Sequence, residues 1–143
     1  MVEHGQILSY VTAIQNKLQI PEGSSFALVS TFAADLGNTV LFPSLLGGGT
    51  LHVLSREAMT DADCYASYCS KHRIDCMKVT PSHLQALVAE RVEPSLIPAR
   101  TLVLGGEVLS RGVVDLIGRI NRALGSNLVR EVRFIIPRGG TLR

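Results

Sequence analysis

Short apolar runs alternate with helical segments along most of this chain, and that alternation is the strongest constraint on its fold. Residues 26–29, 51–54, 75–79, 101–104 and 128–136 read as strands. Runs with little polar alternation suit strands covered on both faces. Between them the spacing turns helical. Residues 2–18 carry Ile7, Tyr10, Val11, Ile14 and Leu18 on one stripe. A turn at Pro21, Gly23 and Ser24 ends that segment. Residues 36–46 read as a helix entered near Asp35, bent or ended around Pro43, and stopped by Gly47, Gly48 and Gly49. Residues 60–73 read as another, with Thr60 as N-cap and Asp63 at the reciprocal capping position. Thr80 caps the next, with Pro81 at its first position and Leu84, Leu87 and Val88 along it. Pro94 and Pro98 punctuate the following loop. Residues 110–124 place Val113, Val114, Ile117, Ile120 and Leu124 on one face, with Gly125 just past the end. The sum is an α/β fold, a doubly wound, mostly parallel sheet with helices on both faces. A chain of 143 residues with 46% hydrophobic content is expected to form one domain, 1–143.

Composition removes several function classes. No apolar run approaches the ~20 residues of a membrane span. The start, MVEHGQ, lacks the basic and apolar regions of a signal peptide, so a cytoplasmic location is expected. Net charge is +2 with both signs scattered. Nucleic-acid binding asks for a basic cluster and stacking aromatics. Arg130, Arg133, Arg138 and Arg143 read instead as a solvated edge. No nucleic-acid or membrane partner is therefore expected. Cys64, Cys69 and Cys76 contain no CxxC and read as reduced thiols, the first two on one helix. His4, His52, His72 and His83 show no ligand spacing, and no metal site is expected.

Ligands of parallel sheets sit outside the carboxyl ends of the strands. Asp35, past the first strand, and Lys78, near the end of the third, fall on that same edge. Asp35 is the one acid within STFAADLGNTVLFPSLLGGG, and Lys78 interrupts the apolar run CMKVT. Buried charge is costly unless it is paired. Asp35 either caps a helix or waits for a cation. Lys78 either pairs internally with Asp35, or snorkels, or binds part of a ligand. A zwitterion would satisfy both charges, with its ammonium on Asp35 and a carboxylate on Lys78. Gly105-Gly106-Glu107 permits close approach of a planar ligand, and a tight turn explains it equally well. No P-loop, GxGxxG or GxSxG occurs.

Three segments, STFAADLGNTVLFPSLLGGGTLHVLS, DCMKVTPSHLQAL and LVLGGEVLS, occur in order and at fitting spacing. Together they resemble the adenylation domain of nonribosomal peptide synthetases, within the adenylate-forming, AMP-binding superfamily. The resemblance spans roughly residues 2–127 and implies a central piece of the large N-terminal subdomain. It implies an enzyme that activates an amino acid with ATP and Mg²⁺ as an aminoacyl-adenylate and loads it on a carrier-protein thiol. By the same resemblance Asp35 matches the acid for the substrate α-ammonium. Leu36, Thr39, Lys78, Val103 and Gly105 match side-chain pocket positions, in a series similar to pockets for aspartate, with asparagine next. A side-chain carboxylate suits the Lys78 ammonium. Gly105, Gly106 and Glu107 match the loop beside the adenine.

The sequence also departs from that family. The phosphate loop is expected just before MVEH. The tyrosine–glycine–proline–threonine–glutamate motif is expected after Asn127, where LVREVRFIIPRGGTLR stands, a divergent tail over 128–143. The C-terminal subdomain with its catalytic lysine is not in the sequence. Reactions at ATP phosphates depend on those charge-neutralising parts. The chain alone is therefore expected to be inactive, with no ATP or Mg²⁺ held tightly. Its partners would be the remaining subdomain, a carrier protein and, through an exposed apolar face, a second copy. Two rival readings are a non-catalytic interaction module and a piece of an acyl-CoA ligase. A fatty-acyl pocket has no use for Asp35 plus Lys78.

Overall fold

The computed structural model describes residues 2–89, 93–108, 110–124 and 131–135. Five parallel strands form one sheet in the order β2-β1-β3-β4-β5. They are β1 (Ser25–Leu28), β2 (Thr50–Val53), β3 (Cys76–Val79), β4 (Thr101–Gly105) and β5 (Glu131–Ile135). The helices are α1 (His4–Leu18), α2 (Asn38–Leu46), α3 (Arg56–Thr60), α4 (Ala62–His72), α5 (Pro81–Leu87) and α6 (Arg111–Leu124). The doubly wound parallel expectation holds. Side chains of alternate strand residues point to opposite faces, and two apolar layers result. Ile14 and Leu18 of α1 and Val40 of α2 pack with Phe26, Leu28, Cys76 and Val103 on one face. On the other, Tyr65, Leu84, Val113, Leu116 and Ile120 of α4, α5 and α6 pack with Ala27, Met77, Val79, Leu102 and Leu104. Burial pushes the Cys69 thiol up to about 11 and the Cys76 thiol up to about 12. Both are protonated, inert members of these layers.

β1 connects outward to β2, and the chain then returns to lay β3 on the other flank of β1. A crevice opens where the order reverses, outside the carboxyl ends of β1 and β3. The loop after β1 enters a 3₁₀ turn, Asp35–Gly37, and then α2. β3 runs into Thr80, whose hydroxyl accepts from the His83 N–H and caps α5, with Pro81 at the start as expected.

Three local expectations are corrected. Thr60 is not an N-cap but the last residue of α3, whose own cap is Ser55, accepting from the Ala58 N–H at 3.2 Å. Asp61 caps α4 by accepting from the Cys64 N–H at 2.9 Å. Two good caps six residues apart split what helical spacing alone reads as one approach to a single helix. Asp61→Ala is expected to cost about 1 kcal/mol in urea unfolding, and Thr60→Ala less than half of that. Of the two expectations for Pro43, a bend or an end, the end is excluded: α2 runs through it to Leu46, and the Gly47 N–H closes on the Pro43 carbonyl at 2.9 Å. On α6 the buried face holds Val113, Leu116, Ile117 and Ile120, while Val114 is exposed. Apolar character misassigned Val114 because it lies one step beside the true stripe.

Gly125, residues 128–130 and residues 136–143, including Pro137, lie outside the described residues. So do the side chains of Leu124 and Arg133, and with them the arginine edge. Among the described residues no helix is long and apolar enough to cross a membrane. Leu45 and Leu46 at the end of α2 and Val53 on edge strand β2 are exposed apolar side chains.

Candidate functional site

A cleft of about 440 Å³ lies at the reversal of strand order. Its floor and one wall come from Asp35, Leu36, Asn38, Thr39 and Phe42, on the segment leaving β1. Gln6, Ile7, Tyr10 and Ile14 of α1 form the facing wall, and Lys78 and Gly106 close it from β3 and the end of β4. The two charges singled out in the sequence thus line one cavity. Among the described residues no ion pair joins them. Nor is Asp35 a cap: Ala34 holds the N-cap position of the 3₁₀ turn, with no side-chain hydrogen bond to it. The Asp35 side chain is exposed and stands at the mouth.

Lys78 is the unusual member. β3 is buried along its whole length, and Lys78 with it. Its side chain leaves the sheet on the α1–α2 face, beside Cys76 and opposite Met77. There Nζ donates to the Thr39 hydroxyl at 2.8 Å. Thr39 in turn shares a hydrogen bond of 3.1 Å with the Tyr10 hydroxyl. Burial lowers the Lys78 pKa from its ordinary value, and the nearby Asp35 charge offsets part of that. A base whose folded pKa is lowered costs stability wherever it stays charged. That cost disappears as pH rises through the lowered value towards 10.5. Lys78→Met is therefore expected to stabilise the chain by about 1 kcal/mol at pH 7. The gain over the parent should shrink in urea titrations carried towards pH 10.5.

The other expected site residues divide. Leu36 and Thr39 line the cleft with Asp35 and Lys78. Val103 does not; it is fully buried in the layer beneath α1 and α2. Gly105 ends β4 and is likewise absent from the lining. Gly106 lines it with φ +86, and a Cβ there would sit 3.2 Å from Leu36 Cδ1 and 3.4 Å from Thr80 Cγ2. Only glycine adopts that backbone without strain and leaves the rim low. Glu107 is turned away to α5, where its carboxylate accepts from the Ser82 N–H at 3.0 Å and the Ser82 hydroxyl at 2.6 Å. Those bonds lower its pKa from the usual carboxylate value. Among the described residues no group of three His, Cys, Asp or Glu side chains could hold a metal ion.

The α1 wall was missed by reading α1 as a core stripe. Val11, Ile14 and Leu18 do face the sheet. Tyr10, one position round, carries a hydroxyl that a purely apolar stripe cannot satisfy, and that was the available signal.

The profile of one family, described as AMP-binding enzyme, matches residues 1–128. Surfactin synthase subunit 2 of Bacillus subtilis (strain 168) is 36% identical over 109 residues, covering 74% of this chain and 3% of that protein. Bacitracin synthase 3 of Bacillus licheniformis is 33% identical over 117 residues, covering 80% of this chain and 2% of that protein. The chain thus spans a few hundredths of the length of these relatives. Among solved structures, a four-domain nonribosomal peptide synthetase bound to AMP and glycine superposes with a TM-score of 0.72 at 20% identity. It covers 99% of this chain and 10% of its own. O-succinylbenzoate coenzyme A synthetase of Bacillus subtilis, in complex with AMP, superposes at 0.71 with 14% identity, covering 93% of this chain and 26% of its own. These superpositions establish a shared fold.

Proposed function

The chain belongs to the AMP-binding enzyme family, and from that premise we propose that it forms the amino-acid pocket of an adenylating domain in nonribosomal peptide synthesis. In this reading Asp35 holds the substrate ammonium and Lys78 a side-chain carboxylate, so that aspartate, or next asparagine, is the substrate. Leu36 and Thr39 shape the wall between them. Val103 and Gly105 act from beneath, by setting the position of β4. Gly105, Gly106 and Glu107 border the adenine, with Glu107 bracing the rim through α5. In the complete enzyme the substrate carboxylate attacks the α-phosphorus of ATP, pyrophosphate leaves, and a carrier-protein thiol then displaces AMP. The remaining subdomain and the carrier protein are the implied partners, in the cytoplasm. This chain by itself is proposed to bind without catalysing.

The single observation that supports this reading is that Asp35 and Lys78 share one cleft without neutralising each other. Complementary charges held apart by a fixed wall are what a zwitterion recognises. Isothermal titration of the chain with L-aspartate, L-asparagine and L-leucine tests it. Aspartate is expected to bind best and leucine least. No heat with any of the three removes the ligand assignment and favours the interaction-module reading. Equal response to all three removes the role of Lys78. Pyrophosphate exchange above background would refute the claim that the chain is inactive alone.

A further inference from the structure

Resting on that reading of the cleft, we propose that Tyr10 is a specificity-determining residue. Its hydroxyl and the Lys78 ammonium form a two-donor clasp that takes an anionic side-chain carboxylate in preference to an amide. The hydrogen bonds around Thr39 have only one direction in which every buried hydrogen is accepted. Lys78 Nζ has only donors, so the Thr39 oxygen accepts from it. Thr39 has one hydrogen of its own, and the Tyr10 hydroxyl lies 3.1 Å away. If Tyr10 donated to Thr39, the Thr39 hydrogen would have no acceptor among the described residues. Thr39 is 1% exposed, so a donor stranded there would cost the full desolvation of its O–H. If Thr39 donates to Tyr10 instead, the hydrogen left over is that of the Tyr10 O–H. Tyr10 is 38% exposed and lines the cleft, where water or a ligand accepts it. The buried partner is satisfied and the accessible one holds the spare donor.

The consequence is a cleft end with two hydrogens left for a ligand, on the Lys78 ammonium and the Tyr10 hydroxyl. Lys78 N–H and Tyr10 O–H both stand within one hydrogen bond of the same Thr39 oxygen. One carboxylate can accept from both with its two oxygens, and the charge strengthens each bond. An amide meets the same pair with one oxygen, and its NH₂ then faces donors.

Tyr10→Phe keeps the ring and removes the hydroxyl. Binding of L-aspartate and L-asparagine to the parent chain and to Tyr10→Phe is compared by isothermal titration, after thermal melts confirm folding. Loss of an aspartate-specific affinity of about tenfold, with asparagine changed less than threefold, is the expected result; a hydrogen bond to a charged group is of that strength. An aspartate affinity within twofold of the parent overturns the proposal. Equal losses for both ligands reduce Tyr10 to a structural wall and also overturn it.

A second measurement needs no ligand. The sequence has only three lysines, Lys17, Lys71 and Lys78, so the Lys78 ¹³Cε titration is readily assigned. Tyr10→Phe takes away the acceptor of the Thr39 hydrogen, loosens its hold on Nζ, and is expected to lower the Lys78 pKa further. Thr39→Val, which removes the link itself, should lower it at least as much. An unchanged Lys78 titration in Tyr10→Phe overturns the proposed hydrogen-bond chain and the clasp built on it. If the parent chain binds neither amino acid while the titration shifts as expected, the ligand reading and the clasp both fall, and the failure lies in the ligand rather than in the hydrogen-bond chain.

Discussion

Gly49→Ala is expected to destabilise the chain by about 3 kcal/mol, a large loss for one methyl group. The added Cβ would lie 2.4 Å from the Ser24 carbonyl oxygen and 3.0 Å from the Phe26 ring. The first neighbour is backbone and cannot rotate away. It also accepts the Thr50 N–H at 3.0 Å, the bond that sets β2 against β1. Relief therefore requires moving an edge strand whose register, Ser25 against Thr50 and Leu28 against Val53, begins at that point. The same substitution at Gly118, within α6, meets nothing within 4 Å and is expected to stabilise by about 0.5–1 kcal/mol through helix propensity. Urea midpoints of the two variants should move in opposite directions. A Gly49→Ala midpoint equal to that of the parent would show that β2 is free to slide.

On the proposed reading of the cleft, Asp35→Asn is expected to weaken L-aspartate binding by about tenfold while leaving the melting curve nearly unmoved. A hydrogen bond to a charged group is worth about 1.5–3 kcal/mol, and the low end applies to an exposed side chain. Stability should change by no more than about 0.5 kcal/mol, because the side chain is exposed and caps nothing. Asparagine preserves the shape and any capping ability of the site and removes only the charge. The substitution thus separates recognition of a cation from support of a helix. A change in stability without a change in affinity would return Asp35 to a purely architectural role.

The sheet was legible in the sequence because buried parallel strands are nearly uniform apolar runs, and their lengths leave little choice of element. Thr80-Pro81 was legible for a local reason as well, since a cap and a proline at the first helical position act within four residues. The break between α3 and α4 was not. Ser55, Thr60 and Asp61 are all competent caps; Ser55 and Asp61 are used, and that choice goes with the docking of Tyr65 and Ala66 of α4 on the sheet. The shared edge of Asp35 and Lys78 followed from topology alone. That they face each other unpaired did not, because it depends on Thr39 capturing the Lys78 ammonium across 39 positions of chain. Tyr10 was hidden for a similar reason. Its hydroxyl finds Thr39 only when α1 and α2 lie side by side, and a stripe drawn on one helix carries no record of its neighbour. Val103 illustrates the converse, since a buried apolar residue within a strand fits the pattern of a pocket wall and of a core alike, and here it lies in the core.

The strand order also sets a timetable. β1 is flanked by β2 and β3, both made after it, and the Asp75 side chain that fastens the Ser25 N–H emerges 50 residues later. At a ribosomal pace of about 5–20 residues per second, β1 waits roughly 2.5–10 seconds for its second neighbour. Through that interval the second edge of its Phe-Ala-Leu segment has no partner within the chain, which is the kind of exposed edge that invites pairing with other strands.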